Sequence, residues 1–372
     1  MLTPAADGAN GESSKARSLL RWGAYGSVAV AVLVVVVVMI AALTDRPDAD
    51  PLVLDADAPE MAAFLEAEQA LMAHHGLDFT DHLVDVEAPG LRVRVLEVGD
   101  GPPVLALPGG AGEGGQFGSL LAELDGYRFL VVNLPGGGGS DGIDFRAVDN
   151  RRLVRDTLDA TYDHFGVDSA PILASSRGGH HAWWYALERP QRVAASAQLG
   201  VPGYVEGTTV PAMLRPLGVP GLNRLLAPTV RPASPADSVD GLEQVFGHPP
   251  ETVASLPRPF QEYWHAAQHL PTFDLTMRSS TQLAVSRAGL GGWSDEIQIA
   301  IDDLAALDHP VLLVWPSNDP FGDAGTGQAI AGALPSARFE IAGVGHLPWL
   351  DDPAAVAELV ARFLGTVTTS DG

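Results

Sequence analysis

The segment Ile172–His181 reads ILASSRGGHH, two serines set in front of two glycines and two histidines. A serine hydroxyl becomes a nucleophile only with a base at its side, an acid that orients the base, and N–H donors for the oxyanion that forms. The apolar ILAS predicts a buried strand and RGGHHAWWYALER predicts a helix, so the serines occupy a strand-to-helix turn. So tight a turn needs small residues two positions before and two after the nucleophile, where the backbone closes on itself. Ser176 has Ala174 and Gly178 there, whereas Ser175 has Leu173 and Arg177. Ser176 is therefore the expected nucleophile. PVLLVWPSNDP carries Asp319 just past another apolar run, with Asp323 a nearby competitor for the acid, and ARFEIAGVGHLPWL carries His346 after the next. The main-chain N–H groups of Arg177, at the start of the helix, and of Gly110, in the Gly-rich loop after VLALP, are the expected oxyanion donors.

Bringing residues 176, 319 and 346 together requires strands that all end on one side. Short apolar runs without alternation supply them: PVLALP, YRFLVVNLP, APILAS, VAASAQLGV, PVLLVWP and ARFEIAG. Strands buried on both faces, as in a parallel sheet covered by helices, have this composition. Between them lie helical stripes, such as Val154, Leu158, Tyr162 and Phe165, or Val356, Leu359, Val360 and Phe363. Ahead of them HLVDVEAPGLRVRVLEVGDG alternates apolar and polar residues and predicts a hairpin turning at Pro89-Gly90. The expected fold over residues 61–366 is thus α/β, doubly wound and mostly parallel, with its site at the carboxyl ends of the strands. Residues 202–308, rich in Pro and Leu with helical patches, interrupt the rhythm. A structureless loop of that length is uncommon, so an inserted helical cap is expected.

The chain has 372 residues, a formal net charge of -24 and Lys15 as its only lysine. It offers no basic stripe to a phosphate backbone, which argues against nucleic acid as a partner. Cysteine is absent, which removes disulfides and thiolate metal sites. Residues Trp22 to Leu43 carry no charge, and as a helix would extend roughly 33 Å, enough for the hydrocarbon layer of a bilayer. Lys15, Arg17 and Arg21 precede the run, and Arg46 follows it together with Asp45, Asp48, Asp50, Asp55 and Asp57. That asymmetry predicts a cytoplasmic tail over 1–21, a transmembrane signal-anchor over 22–43 and an extracytoplasmic catalytic body. The Asp/Pro-rich stretch 44–60 reads as a solvated linker, and 367–372 as a flexible tail.

LPGGAGEGG, VVNLPGGGGSD, ASSRGGHHAWWYALERPQRV, LLVWPSNDPF and AGVGHLPWLDDP together resemble the α/β-hydrolase family, within the lidded group of esterases, cofactor-free haloperoxidase-like enzymes and proline iminopeptidases. The resemblance runs from about residue 82 to residue 364. It implies an eight-stranded sheet with a helical cap, a triad in the chain order Ser, Asp, His, and no metal or cofactor. Three positions depart from the family pattern: Pro108-Gly109 stands for His-Gly, Ala174 for the first elbow glycine, and Arg177 for the usual Met, Leu or Gln. A cation at 177 either holds a substrate carboxylate or pairs with a carboxylate of the framework. A serine rather than an aspartate at 176 argues against the epoxide hydrolase and haloalkane dehalogenase branches.

Other conspicuous residues have plainer uses. His74-His75 and His180-His181 are neighbours on helices and point about 100° apart, which suits packing better than metal binding. The Gly-rich runs 109–115 and 136–139 lack the phosphate-loop patterns. In the cap, Tyr263, Trp264, Phe273 and Trp293, with Phe260 and Met277, are candidates to line an apolar substrate pocket. The resulting expectation is a membrane-anchored serine hydrolase that cleaves an ester or amide of a small hydrophobic molecule through an acyl-enzyme. Two alternatives stay open. One is an aminopeptidase of the proline iminopeptidase type, holding a free amine on Glu243, Glu251 or Glu262; the other is a catalytically silent hydrolase fold serving as a surface binding module.

Overall fold

Alternating and non-alternating strand sequences end up in different parts of one sheet. A computed structural model describes residues 33, 35–226, 231–285 and 292–368. Eight strands form a sheet in the order β1-β2-β4-β3-β5-β6-β7-β8. The alternating pair, β1 (Phe79–Val86) and β2 (Leu91–Val98), is an antiparallel hairpin at one edge, and β2 pairs antiparallel with β4 (Arg128–Val132). From there β3 (Pro103–Leu107), β5 (Ala170–Ser175), β6 (Val193–Leu199), β7 (Val311–Trp315) and β8 (Ala337–Ile341) run parallel with β4.

The central strands are apolar on both faces because helices cover both. Leu105, Leu130 and Ile172 face one core with Leu158 of α2 (Asn150–His164) and Trp183 of α3 (Arg177–Glu188). Their chain neighbours Ala106, Val131 and Leu173 face the other, with Val360 and Phe363 of α7 (Pro353–Thr368). β8 departs from the expectation of burial on both faces. It is an edge strand in which Ala337 and Phe339 are half-buried, Phe339 against Trp315, while Arg338, Glu340 and Ile341 are exposed.

The insertion between β6 and β7 is helical, its longest elements being α4 (Arg258–Gln268) and α5 (Pro271–Ala284). It rests on α1 (Pro59–His74), where Phe64 packs against Tyr263 at 5.6 Å. Glu68, the polar break in the apolar stripe of α1, is buried and ion-paired with Arg94 at 2.6 Å. α6 (Ala324–Ala333) joins β7 to β8.

The stretch 44–60 is docked rather than a free tether. Leu52 and Gly142 exchange backbone hydrogen bonds, the Leu54 N–H donates to Asp141 at 2.8 Å, and Arg146 donates to Asp45 at 2.7 Å. Asp45 and the backbone at Leu52 and Leu54 find partners on the body, which an Asp/Pro-rich composition does not disclose, and α1 starts at Pro59 rather than at 61. Of the expected anchor, residues 22–32 and 34 lie outside the described residues, as do the tail 1–21 and residues 369–372. Residues 35–44 are helical and present Val35, Met39, Ile40 and Leu43 outward. Among the described residues no helix is long and apolar enough to cross a membrane.

Candidate active site

Ser176 sits between the end of β5 and the start of α3 with φ 50° and ψ -118°. A left-handed backbone at a residue with a side chain is strained by roughly 1–3 kcal/mol and persists only where the surroundings dictate it. They do so through missing atoms. A Cβ on Gly178 would stand 2.2 Å from the Leu107 carbonyl oxygen at the end of β3, and a Cβ on Gly109 would stand 2.7 Å from the Ser176 Cβ. The Ser176 carbonyl in turn accepts from the N–H of His180 at 3.1 Å and of Gly203 at 3.0 Å. Arg177 supplies the first N–H of α3, a position without an intrahelical acceptor. Gly110 takes φ +60° in the loop after β3.

Of the three expected triad residues the structure hydrogen-bonds His346 to Asp319, and it shows no hydrogen bond between Ser176 Oγ and His346 Nε2. His346 Nδ1 and Asp319 Oδ2 are 2.7 Å apart. Oδ2 also accepts from the Val201 N–H at 3.1 Å, and Oδ1 from the Phe321 N–H at 2.9 Å. With Nδ1–H given to the carboxylate, Nε2 carries the lone pair; it is buried and makes no hydrogen bond within the protein. Phe321 and Phe246 stack on the imidazole at 4.2 and 5.5 Å between centroids. Asp323 serves elsewhere: it caps α6, accepting from the Thr326 N–H at 2.8 Å.

A clamp assembled from the cap and the start of the C-terminal helices holds the histidine loop. Asp351 Oδ2 accepts from the N–H groups of Val344 and Gly345, both at 2.8 Å, and its Oδ1 pairs with His248 Nδ1 at 3.0 Å. His248 Nε2 then accepts from the Leu347 N–H at 3.3 Å, and the His346 N–H donates to the Phe246 carbonyl at 2.8 Å. Burial opposes ionisation of Asp351, yet the His248 and backbone hydrogen bonds hold its carboxyl below the usual range. The only visible signal was the DD pair in PWLDDP. A second serine–histidine pair, Ser196 Oγ and His309 Nε2 at 3.0 Å, lies at the opposite end of the sheet, where Ser196 pairs with the first residue of β7. Burial pushes His309 down to about 4, so it is a neutral, half-buried group.

A cavity of about 640 Å³ opens between cap and sheet and reaches Gly110, Glu113 and His346. Trp264, Phe273 and Met277 line it with Met213, Leu214 and Leu217. Tyr263 and Trp293, expected in the pocket, are core instead. Each is drawn away because its polar tip needs a partner. The Tyr263 hydroxyl accepts from the Gly115 N–H at 2.9 Å, and Trp293 Nε1–H donates to Thr208 Oγ1 at 2.7 Å. Trp293 still bears on the site by stacking on Phe321, 6.3 Å away. Phe260 is buried behind Trp264. Glu243, Glu251 and Glu262 do not line the cavity; Glu262 pairs with Arg258 at 2.6 Å. Glu113, the one charged residue in its Gly-rich loop, was passed over in the sequence. Burial pushes its carboxyl up to about 7, against its own backbone N–H, the Arg177 charge and the Gly112 N–H.

His180 and His181 are buried, as packing requires, and desolvation holds both well below the usual histidine range, His180 at about 3. His180 Nε2 bonds the Ile297 carbonyl at 2.7 Å. Arg177 does not pair with a framework carboxylate: its side-chain nitrogens have no hydrogen-bond partner within the protein.

Residues 102–353 match the family model described as alpha/beta hydrolase fold. A 2-hydroxy-6-oxononadienedioate/2-hydroxy-6-oxononatrienedioate hydrolase of Paraburkholderia phymatum is 26% identical over 287 residues, covering 74% of this chain and 91% of that protein. Among solved structures, a bacterial membrane phospholipase A described as a virulence factor superposes with a TM-score of 0.60 at 21% identity, covering 95% of this chain and 99% of that one. A carboxylesterase from Bacillus subtilis does so at 0.62 and 17% identity, covering 82% and 99%.

Proposed function

Because this chain belongs to the alpha/beta hydrolase fold family, we propose that it is a serine hydrolase that cleaves an uncharged, largely apolar ester. The observation that carries the reading is the 2.7 Å bond between His346 Nδ1 and Asp319 Oδ2, with Nε2 left free to take a proton. Ser176 Oγ attacks the ester carbonyl as its proton passes to His346 Nε2. Asp319 holds the imidazole and stabilises the imidazolium. The N–H groups of Gly110 and Arg177 receive the oxyanion, the alcohol leaves with the proton from His346, and water then frees the acid from Ser176.

The cavity supports an apolar substrate more than a dianionic one. The relative's name specifies a dioate, a molecule with two carboxylates. Here the wall carries Glu113, Asp237 and Asp240, and its Arg231 is already paired with Asp274 at 2.5 Å. The same three carboxylates favour one second reading, an aminopeptidase that holds a free amine at the cavity mouth.

The anchored, extracytoplasmic location is part of the proposal. It is supported by the uncharged run 22–43 and by the apolar residues that the helix at 35–44 turns outward. Protease added to intact cells is expected to degrade the catalytic body; a protected body reverses the topology.

Labelling by a fluorophosphonate at neutral pH tests the chemistry. Wild type is expected to label and Ser176→Ala to stay unlabelled. Equal labelling of both, or none of either, sinks the proposal and leaves the silent binding module. A panel of p-nitrophenyl esters beside aminoacyl anilides then separates esterase from aminopeptidase.

A further inference from the structure

Beside the nucleophile a positive charge is buried without a hydrogen bond. Arg177 is 5% exposed, and none of Nε, Nη1 and Nη2 has a partner. Phe145 lies over the guanidinium, 5.5 Å from Cζ to the ring centroid, which attracts the cation but leaves its in-plane N–H groups free. Arg177 lines a chamber of about 30 Å³, whose wall also includes Asn150, His180, His181, Trp184, Tyr204 and Ser280. Among the described residues the wall holds no carboxylate. Trp184 Nε1 is likewise buried and unpartnered. Tyr204 is held beside Arg177 with φ 57°, a left-handed backbone that only Ser176 shares among the described non-glycine residues.

A guanidinium removed from water needs an acceptor, because an unpaired buried charge is among the most costly arrangements in a protein. Glu113 acts on Arg177 through space, but it lines the substrate cavity rather than the chamber. A volume of 30 Å³ admits one or two particles the size of water, too little for phosphate or sulfate. We infer that the chamber binds one small monovalent anion, a halide or a formate-sized carboxylate, on the Arg177 guanidinium, with Trp184 Nε1–H and the Tyr204 hydroxyl as further donors. This site is distinct from the substrate cavity, and its occupancy does not depend on which bond the enzyme cleaves.

Crystals of the full chain grown in gluconate, an anion too large for the chamber, and transferred to sodium bromide test the site. The expected result is an anomalous bromide peak within hydrogen-bonding distance of the guanidinium. In solution, bromide in place of gluconate at equal ionic strength is expected to raise Tm by about 2–4 °C, since a ligand that binds only the folded state stabilises it. Arg177→Gln is expected to abolish both signals. A formate arm separates the sources: formate density where bromide leaves none assigns the site to small carboxylates. Water alone at Arg177 in wild type, with identical Tm in all three salts, overturns the inference whether or not the variant folds.

Discussion

The Ser176 side and the His346 side of the candidate site are held by different means. Ser176 is fixed by steric fit between neighbours in the sheet, Gly109 and Gly178 letting the ends of β3 and β5 close on it. Polar satisfaction is poor there: the Ser175 hydroxyl and the Arg177 guanidinium are buried without partners. His346 is fixed by hydrogen bonds: Asp319 and Phe246 bond His346 itself, Val201 bonds Asp319, and His248 and Asp351 hold the backbone N–H groups on either side. The difference teaches that the elbow needs only small residues at set spacings, whereas the histidine arm depends on distant segments, including the cap.

Removing the acid should strike hardest. Asp319→Asn keeps the shape but disturbs the imidazole tautomer, and kcat is expected to fall about 10⁴-fold. A loss below tenfold would mean that His346 is oriented by the clamp alone. On the other side, Gly109→Ala forces a methyl to 2.7 Å from the Ser176 Cβ. Displacing a nucleophile by about 1 Å costs about 100-fold, so kcat should drop by that order with the fold intact. An unchanged kcat would show that the steric account of the elbow is wrong.

Asp351→Ala tests the clamp as structure. It strips His248 and two backbone N–H groups of their acceptor, and the expected cost is about 3–5 kcal/mol by chemical denaturation. Because hydrogen bonds hold the Asp351 carboxyl below its usual range, the stability it contributes is present above the unfolded value of 3.8 and is lost as pH falls through the lower folded value. The variant should therefore lose its disadvantage in strong acid. A constant gap between the two proteins at all pH values would deny the ionic part of the clamp.

These contrasts explain what was legible in the sequence. The elbow was readable because its requirement is local: Ala174, Ser176 and Gly178 stand within one short segment. The order Ser, Asp, His and the apolar runs located the strand ends, and so the meeting of Asp319 with His346. His248 was not readable, since nothing in GHPP says that its ring will lie against Gly345 from across the fold. Tyr263 and Trp293 misled because an aromatic in a cap suits a pocket wall and a core equally; only the position of a hydrogen-bond partner decides. The stretch 44–60 misled in the opposite sense. Asp45 looked solvated until Arg146 on the body appeared opposite it, and Arg92 reaches the Leu54 carbonyl.

The smallest effect concerns Glu113, the group that faces both halves of the site. Its folded-state value of about 7 lies above the ordinary 4.5, chiefly because burial disfavours the carboxylate. Between those values the folded protein keeps a proton that the unfolded chain has released, so unfolding gains ground as pH rises. The group's contribution to stability is intact below about pH 4.5, declines as pH climbs through about 7, and is level beyond, a loss of about 3 kcal/mol. Glu113→Gln cannot ionise and should escape that decline, overtaking wild type in Tm above neutrality while losing any lead in acid. Parallel Tm curves for the two proteins from pH 4 to 9 would mean that the carboxyl is solvated in solution, and the substrate cavity would then be wetter at its base than its apolar walls imply.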